Sequence, residues 1–230
     1  MRTSPSLPNS FVHLRPHRRA RRPSGAGADA CSPIRAYRYR RVVNYLAHLL
    51  LAGPGAESLI GNLAGDFVKG RIGDEFAPAI AEGIRRHREI DAFTDSHPAV
   101  AAFRRLLFPE HGHYAGVIAD VFFDHFLAAD FLRYAPEPLE AFLTRVYATI
   151  DPHIDRLPGK LRIVYPRMRD EGWLESYQSI DGIGLALGGI SHRLSRRPHL
   201  APSVHFLEDA GTRAELERLF QEFFPEVMAL

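Results

Sequence analysis

Apolar residues recur every three to four positions through most of the chain, the spacing expected when one face of a helix is buried. Leu59, Leu63 and Phe67 form one such series, and the alternating patterns typical of strands are scarce. The pattern predicts one all-α domain over residues 42–230, a single compact bundle of helices. Its predicted helices cover residues 44–52, 56–68, 75–93, 114–132, 139–150, 159–170, 172–180, 181–194 and 212–228.

Local signals indicate where several helices begin, end or pack. Ser96 is expected to cap a helix with Pro98 in its first turn, because serine and proline are frequent at those positions. Residues 114–132 are strongly apolar and predict the central helix. The glycines of residues 181–194 predict close packing against a neighbour, and Pro225 is expected to bend or break the last helix.

Charge is distributed unevenly along the 230 residues. Residues 1–42 contain ten arginines and one acid, Asp29, which gives this segment a net charge of +9. The remainder has 19 basic residues (29 − 10) and 26 acidic residues (27 − 1), a net charge of −7. The isoelectric point of about 8.8 therefore reflects the first segment, and it gives no reason to predict nucleic-acid binding.

Residues 1–41 are rich in arginine, proline, serine, glycine and alanine, a composition that predicts disorder because little apolar surface is available for burial. An arginine-rich, acid-poor start is also typical of a transit peptide or of a basic arm for an acidic partner. A third interpretation is a start site assigned too early, with the true start near Val43. We favour the third, because the helical pattern begins abruptly at Val42.

Cysteine content and hydropathy restrict the class of protein. Cys31 is the only cysteine, which rules out an intramolecular disulfide and a cysteine-rich zinc site and fits a reducing cytoplasm. No run of about 18 apolar residues is present, so no membrane span is predicted. The sequence also lacks a Walker-type phosphate loop, a Gly-x-Ser-x-Gly elbow and a His-Glu-x-x-His motif.

Two stripes of acids and histidines carry the strongest chemical signal. Steps of four residues place their members along one helical face. Carboxylates among bulky apolar residues are costly to bury unless a cation or partner compensates them. Two such stripes facing each other would form an oxygen and imidazole site suited to Mg²⁺ or Mn²⁺. The stripes are His87, Asp91 and Asp95, and Asp120, Asp124 and His125.

Each stripe also has a structural interpretation. His87 and Asp91 fit an exposed pair on a helix surface, which stabilises a helix by only about 0.2–0.5 kcal/mol. Asp95 lies where one helix ends and another begins, so a capping role is open. Asp124 and His125 fit a buried pair without metal, although clustered buried ionisable groups favour a functional site.

Three further polar residues lie in helical, largely apolar surroundings. Asn62 and Asp66 repeat the four-residue step, and they could equally be a surface amide and a helix-end acid. His48 lies in the apolar segment 46–50. It could be a core histidine, or it could be a metal ligand or a residue that supports one.

The basic residues near these stripes have two interpretations. Arginines at helix ends are favoured by the helix dipole and are often simply solvated. Their planar guanidinium groups also suit phosphates and acidic proteins. The candidate contact residues are Arg85, Arg86, Arg193, Arg196 and Arg197.

Several segments, taken together in this order and spacing, resemble the acyl carrier protein phosphodiesterase family over nearly everything from residue 43 onward. Members of that family usually begin at the Asn-x-Leu-Ala-His segment, so residues 1–42 depart from the family pattern. The matching segments are residues 44–48 (NYLAH), 61–68 (GNLAGDFV), 83–95 (GIRRHREIDAFTD), 120–127, 195–198 and the Phe-Phe-Pro of residues 223–225.

The resemblance implies removal of 4′-phosphopantetheine from holo-acyl carrier protein, which leaves the free serine of the apo form. It also implies a helical fold distantly similar to the HD-type metal phosphohydrolases and dependence on a divalent cation, commonly manganese. Asp124 and His125 stand in reversed order relative to a His-Asp dipeptide, so the ligand roles of HD enzymes are not transferred one to one.

We hypothesise that one or two Mn²⁺ or Mg²⁺ ions activate a water molecule that attacks the phosphodiester. His125 is the candidate acid for the leaving serine, with Asp95 orienting it or a water. The arginines named above would contact the acidic carrier protein. The predicted metal ligands are Asp66, His87, Asp91, Asp120 and Asp124, with His48 and Asn62 as further ligands or supporting residues.

Two other functions remain open from the sequence. One is an HD-like phosphohydrolase acting on a nucleotide or alarmone, which would need a base-stacking pocket. The other is a non-enzymatic helical module that binds carrier proteins, in which the acids would lie apart on the surface.

Overall fold

A computed structural model describes residues 44–194, 196 and 198–230 of the protein. The predicted N-terminal extension, with its proposed start near Val43, lies outside the described residues, as do Ser195 and Arg197. The described part is helical and carries no strand, which confirms the all-α prediction. Its α-helices are α1 (Tyr45–Leu50), α2 (Ala56–Ala64), α3 (Pro78–Ser96), α4 (Pro98–His111), α5 (Ala115–Ala129), α6 (Leu139–Ile150), α7 (Leu161–Asp170), α8 (Trp173–Ser176), α9 (Ile180–Arg193), α10 (His205–Glu208) and α11 (Ala210–Met228).

Helix α5 is the central helix, as its apolar sequence predicts. Twelve of its fifteen residues are buried, including Ile118, Phe122 and Leu127. Helices α1, α4, α9 and α11 all contact it. Because the helix is apolar on most sides, its few polar side chains are held inside the protein and must find partners there.

Aromatic side chains join α4, α5 and α11 into one core. The ring centroid of Phe103 lies 4.7 Å from that of Phe123, and Phe123 lies 5.9 Å from Phe220. Phe220 stacks on Phe224 at 4.9 Å. Pro225 follows directly, yet α11 continues to Met228, so the proline does not end the last helix.

Helices α2 and α3 approach each other at a pair of glycines. A Cβ atom on Gly61 would lie 2.6 Å from the Cα of Gly83, and one on Gly83 would lie 2.8 Å from the Cα of Gly61. Neither position accepts a larger residue without displacing a helix backbone. This crossing places the end of α2 against the middle of α3.

Several predicted boundaries differ from the structure. Helix α2 ends at Ala64 instead of residue 68, and a turn containing Asp66 follows. The cap of α4 is His97, whose Nδ1 accepts a hydrogen bond from the Ala99 N–H at 3.2 Å, so the assignment of Ser96 was wrong. The hydroxyl of Ser96 instead donates to the carbonyl of Phe93.

Two further segments complete this comparison. Of the predicted helix over residues 172–180, Trp173–Ser176 is α-helical as α8, and Ile180 already belongs to α9. The close packing predicted for the glycine-rich helix is present at Gly182, where a Cβ would lie 1.9 Å from the Ser176 carbonyl oxygen. Gly189, by contrast, faces open space. Among the described helices, none is both long enough and apolar enough to cross a membrane.

Candidate metal centre

Four candidate donors from three neighbouring helical segments lie close together, with Asp66 in contact with His87. His48 comes from α1, Asp66 from the turn after α2, and His87 and Asp91 from α3. The Nε2 atom of His87 lies 3.6 Å from Asp66 Oδ1 and 3.3 Å from Asp91 Oδ2. The Nε2 atom of His48 lies 3.4 Å from the other oxygen of Asp91. We call these four residues the α1–α3 cluster.

The backbone around α2 sets the position of His87. Its Nδ1 lies 2.8 Å from the carbonyl oxygen of Asn62. A carbonyl oxygen only accepts hydrogen bonds, so Nδ1 carries a proton and Nε2 is the ring atom that faces the carboxylates. A Cβ atom on Gly65 would lie 2.2 Å from the His87 ring, so glycine at position 65 leaves the space that the imidazole fills.

His48 completes the cluster from the side of α1. Its ring stacks on the ring of His87 with a centroid distance of 3.8 Å and an interplanar angle of 19°. Both histidines are 1% exposed. In the part of the chain that the structure describes, neither nitrogen of His48 has a hydrogen bond, and neither does Nε2 of His87.

These unsatisfied atoms fit a bound cation. Buried polar atoms are rarely left without a partner, and imidazole nitrogens beside carboxylates are common metal donors. His48, His87 and Asp91 can each offer a ligand atom, with these atoms all within 4.8 Å of one another. The carbonyl of Asn62 behind His87 resembles the outer contacts that orient metal-binding histidines.

The electrostatics of the cluster are those of a cation site. Burial opposes charge on Asp91, but the close approach of the His48 and His87 imidazoles outweighs burial and holds the pKa of Asp91 well below its usual range. Burial also opposes charge on His87, but Asp66 and Asp91 raise its pKa to about 9. Burial, with the charge of His87, lowers the pKa of His48 to about 4. The two carboxylates therefore attract positive charge into a buried site.

Asp120 and Asp95 lie beside the cluster and share an arginine. Arg104 of α4 places Nη1 3.0 Å from Asp95 Oδ1 and Nη2 3.8 Å from Asp120 Oδ1. Burial raises the pKa of Asp120 well above its usual range; Arg104 opposes this rise, and the charges of Asp91 and Asp66 add to it. Asp120 therefore lies within electrostatic reach of the cluster, whereas Asp95 is exposed.

Asp124 engages the start of α1. Its Oδ2 accepts the N–H of Leu46 at 2.9 Å, and its Oδ1 accepts the N–H of Ala47 at 3.0 Å. First-turn N–H groups of a helix lack partners within the helix, so the fully buried carboxylate caps α1 from another helix. Burial raises the pKa of Asp124 to about 7, against the lowering effect of these two donors. Asp124 thereby fixes the helix that carries His48.

His125 points to a different part of the protein. Its Nδ1 donates to the carbonyl of Tyr177 at 2.8 Å. Burial lowers the pKa of His125, and the charged residues that influence it are Arg213 and Glu217 of α11. Its described contacts therefore do not join it to the α1–α3 cluster or to Asp95, and its assignment as the acid remains a prediction without geometric support.

The predicted arginines have separate surroundings. Arg85 pairs with Glu82, and Arg86 Nη1 lies 3.7 Å from Glu89 on the same helix. The guanidinium of Arg193 lies 5.8 Å from the centre of the Trp173 ring. Arg196 is exposed.

Sequence reasoning missed two residues that shape this region. Gly65 follows Gly61 by four residues, and that spacing is a readable sign that one face of α2 approaches another helix. Arg104 lies in an ordinary amphipathic pattern, and nothing in its spacing points to Asp95 or Asp120.

Comparison with known proteins identifies the family. The family model described as acyl carrier protein phosphodiesterase matches residues 43–227. A protein named acyl carrier protein phosphodiesterase from Serratia proteamaculans is 37% identical over 188 residues, which cover 81% of this chain and 96% of the relative. Proteins of the same name from Pectobacterium atrosepticum and Salmonella agona are 35% and 36% identical, covering 82% and 81% of this chain and 97% and 96% of theirs. No solved structure matches. The chain therefore belongs to the acyl carrier protein phosphodiesterase family.

Proposed function

We propose that the protein hydrolyses the phosphodiester of holo-acyl carrier protein with the help of a divalent cation, releasing 4′-phosphopantetheine and the apo protein. Relatives that the chain covers almost completely bear the name acyl carrier protein phosphodiesterase. The observation that carries the proposal is the convergence of buried imidazole nitrogens on two carboxylates in the α1–α3 cluster.

The donors that would hold the cation are His48, Asp66, His87 and Asp91. Asp66 and Asp91 supply the carboxylate oxygens that Mn²⁺ and Mg²⁺ prefer, and the two imidazoles favour Mn²⁺ over the more oxygen-selective Mg²⁺. A bound cation would supply an activated water and neutralise charge on the phosphodiester. Asp120 remains a candidate fifth ligand, because its carboxylate lies within electrostatic reach of Asp66 and Asp91.

The surrounding residues hold these donors in place. The Asn62 carbonyl keeps the proton of His87 on Nδ1 and leaves Nε2 as the donor atom. Asp124 accepts two N–H groups at the first turn of α1 and so positions His48, and its expected role as a metal ligand stays a prediction from the sequence. Arg104 restrains Asp120 beside the cluster. The acid that protonates the leaving serine is not assigned to His125 or Asp95 by any contact among the described residues.

The carrier protein is proposed to dock on basic side chains near the cluster. Arg85 and Arg86 lie on α3, the helix that carries His87 and Asp91, and Arg193 ends α9. The opposite charges of these arginines and an acidic carrier would speed association, and salt would weaken that effect. Arg196 belongs to the same proposal, and Arg197, which lies outside the described residues, extends it as a prediction from sequence.

Mass spectrometry of holo-acyl carrier protein incubated with the protein and Mn²⁺ tests this proposal. We expect loss of the prosthetic group with the wild type, and no loss after chelation of the metal or with Asp91→Asn. An unchanged holo protein in every sample would contradict the proposal. Turnover of a nucleotide in a parallel assay, without turnover of the carrier, would favour the alternative nucleotide phosphohydrolase.

A further inference from the structure

A second group of metal-binding side chains lies at the other end of α4, where it meets α10. Glu110 and His111 are the last two residues of α4, and His205 begins α10. The Nε2 atom of His205 lies 2.9 Å from Glu110 Oε2, and the Nε2 atom of His111 lies 3.6 Å from Glu110 Oε1. Both imidazoles thus present Nε2 to one carboxylate. None of these residues belongs to the α1–α3 cluster.

The spacing of these atoms fits one tetrahedral ion. Zinc binds histidine nitrogen and carboxylate oxygen at about 2.0–2.2 Å, which separates tetrahedral ligand atoms by about 3.4 Å. Measured to Glu110 Oε1, the separations are 3.0 Å for His205 Nε2 and 3.6 Å for His111 Nε2, one on either side of that distance. All three ligand atoms lie within 4.8 Å of one another. Small side-chain rotations would therefore bring them to ligand distance.

The group lies at the protein surface beside a buried serine. His111 is half-buried, and its Nε2 lies 3.0 Å from the hydroxyl of the buried Ser203, so an ion at Nε2 would take the place of this hydrogen bond. Glu110 and His205 are exposed, so an ion has direct access from solvent.

We propose that Glu110, His111 and His205 form a second, structural metal site for Zn²⁺ or a similar nitrogen-preferring divalent ion. Two imidazoles and one carboxylate, with water as the fourth ligand, favour zinc over the oxygen-preferring Mg²⁺. A bound ion would tie the end of α4 to α10, the short helix that precedes α11. Without an ion, the same contacts form an exposed ion pair, and exposed ion pairs contribute little to stability.

Calorimetric titration of the full chain with Zn²⁺ tests the site, in a set of variants that separates it from the α1–α3 cluster. Asp91→Asn weakens the first cluster, and His205→Ala removes a ligand of the second. His199→Ala removes another exposed histidine and serves as the matched control. We expect the Asp91→Asn protein to keep one zinc site. Adding His205→Ala should weaken zinc binding at that site more than tenfold, since loss of even an outer contact lowers metal affinity about 10–100-fold. His199→Ala should leave that affinity unchanged.

Thermal melting supplies a second readout that needs no activity. In the Asp91→Asn background, which weakens the first cluster, Zn²⁺ should raise the melting temperature with or without His199→Ala, and it should raise it far less once His205→Ala is added. In the same background, Co²⁺ should give the intense visible absorption of tetrahedral coordination only when His205 is present. The proposal is overturned if zinc binds with equal affinity with and without His205, or if the Asp91→Asn protein binds no zinc. If Asp91→Asn proves unfolded, the number of zinc ions bound in the wild-type background decides the question, because His205→Ala should bind one ion fewer than His199→Ala.

Discussion

The two acid–histidine stripes look alike in the sequence and have different surroundings in the structure. On α3, His87 and Asp91 join His48 and Asp66 in a buried cluster. On α5, Asp124 caps a neighbouring helix and His125 donates to a backbone carbonyl. The four-residue step places side chains on one face of a helix, but the neighbouring helix decides what they meet there. The four-residue spacing therefore predicts that these side chains are buried and have polar contacts, but it does not predict which of them lie in a candidate metal centre.

The difference has a simple structural cause. Helix α3 crosses α2 at Gly61 and Gly83, so the end of α2 brings Asp66 and the Asn62 carbonyl to His87. Helix α5 instead meets the first turn of α1, where free N–H groups need an acceptor. A carboxylate there is already satisfied by two donors. The two stripes are nonetheless linked, because Asp124 holds the helix that carries His48.

Substitution of Asp91 should have the largest effect on activity. Asp91→Asn removes the carboxylate that lies between both histidines, so we expect turnover of holo-acyl carrier protein to fall more than about 100-fold. The release of the prosthetic group, followed by mass spectrometry, measures this. Asp95→Asn, four residues along the same helix, is the control and should lose far less, because Asp95 is exposed and pairs with Arg104. Equal losses of activity in the two variants would refute the conclusion that Asp91 belongs to the metal centre and Asp95 does not.

Substitution of Asp124 should act mainly on stability. Asp124→Ala leaves two first-turn N–H groups of α1 without their acceptor, which should lower the free energy of unfolding by about 2–4 kcal/mol. Asp124→Asn keeps one acceptor and should lose less. Urea unfolding followed by circular dichroism distinguishes the two variants. If Asp124→Ala proves as stable as the wild type and yet inactive, Asp124 acts in the chemistry and not as a cap.

Gly65→Ala tests how closely α2 must approach His87. The added Cβ would lie 2.2 Å from the imidazole, so the ring must move away from Asp66 and the Asn62 carbonyl. We expect a loss of about 1–3 kcal/mol in stability together with reduced metal affinity. Gly55→Ala is the matched control, because nothing lies within 4 Å of its added Cβ. If Gly65→Ala leaves metal affinity unchanged, His87 can bind the metal without the ring position seen in the structure.

The smallest effect is expected at the docking arginines. Arg85→Glu reverses an exposed charge on α3 and should lower kcat/KM for the carrier about threefold at low salt, with the difference fading as salt is added. Arg218→Glu reverses an exposed arginine on α11 and should leave kcat/KM unchanged. Salt titrations of both variants measure the contrast. A salt-independent defect in Arg85→Glu would argue against electrostatic docking there.

Most of the fold is readable from the sequence, whereas the site is only partly so. The apolar pattern of residues 114–132 predicts the central helix, and the structure confirms it as α5. The capping assignment at Ser96 failed because the neighbouring His97 offers an acceptor to the same N–H groups. The partners of Asp124 lie 77 and 78 residues away in the sequence. Spacing within one helix carries no information about such contacts, so the capping role had to come from the structure.

The most direct test of the account is the binding of Mn²⁺, followed by the electron paramagnetic resonance signal of the free ion. The account predicts that the wild type and a folded Asp124→Asn protein remove free Mn²⁺ from solution, while Asp91→Asn and His87→Ala do so far more weakly. Circular dichroism confirms that each variant is helical. Retained binding by Asp91→Asn together with lost binding by Asp124→Asn would contradict the assignment of the metal centre to α1, α2 and α3.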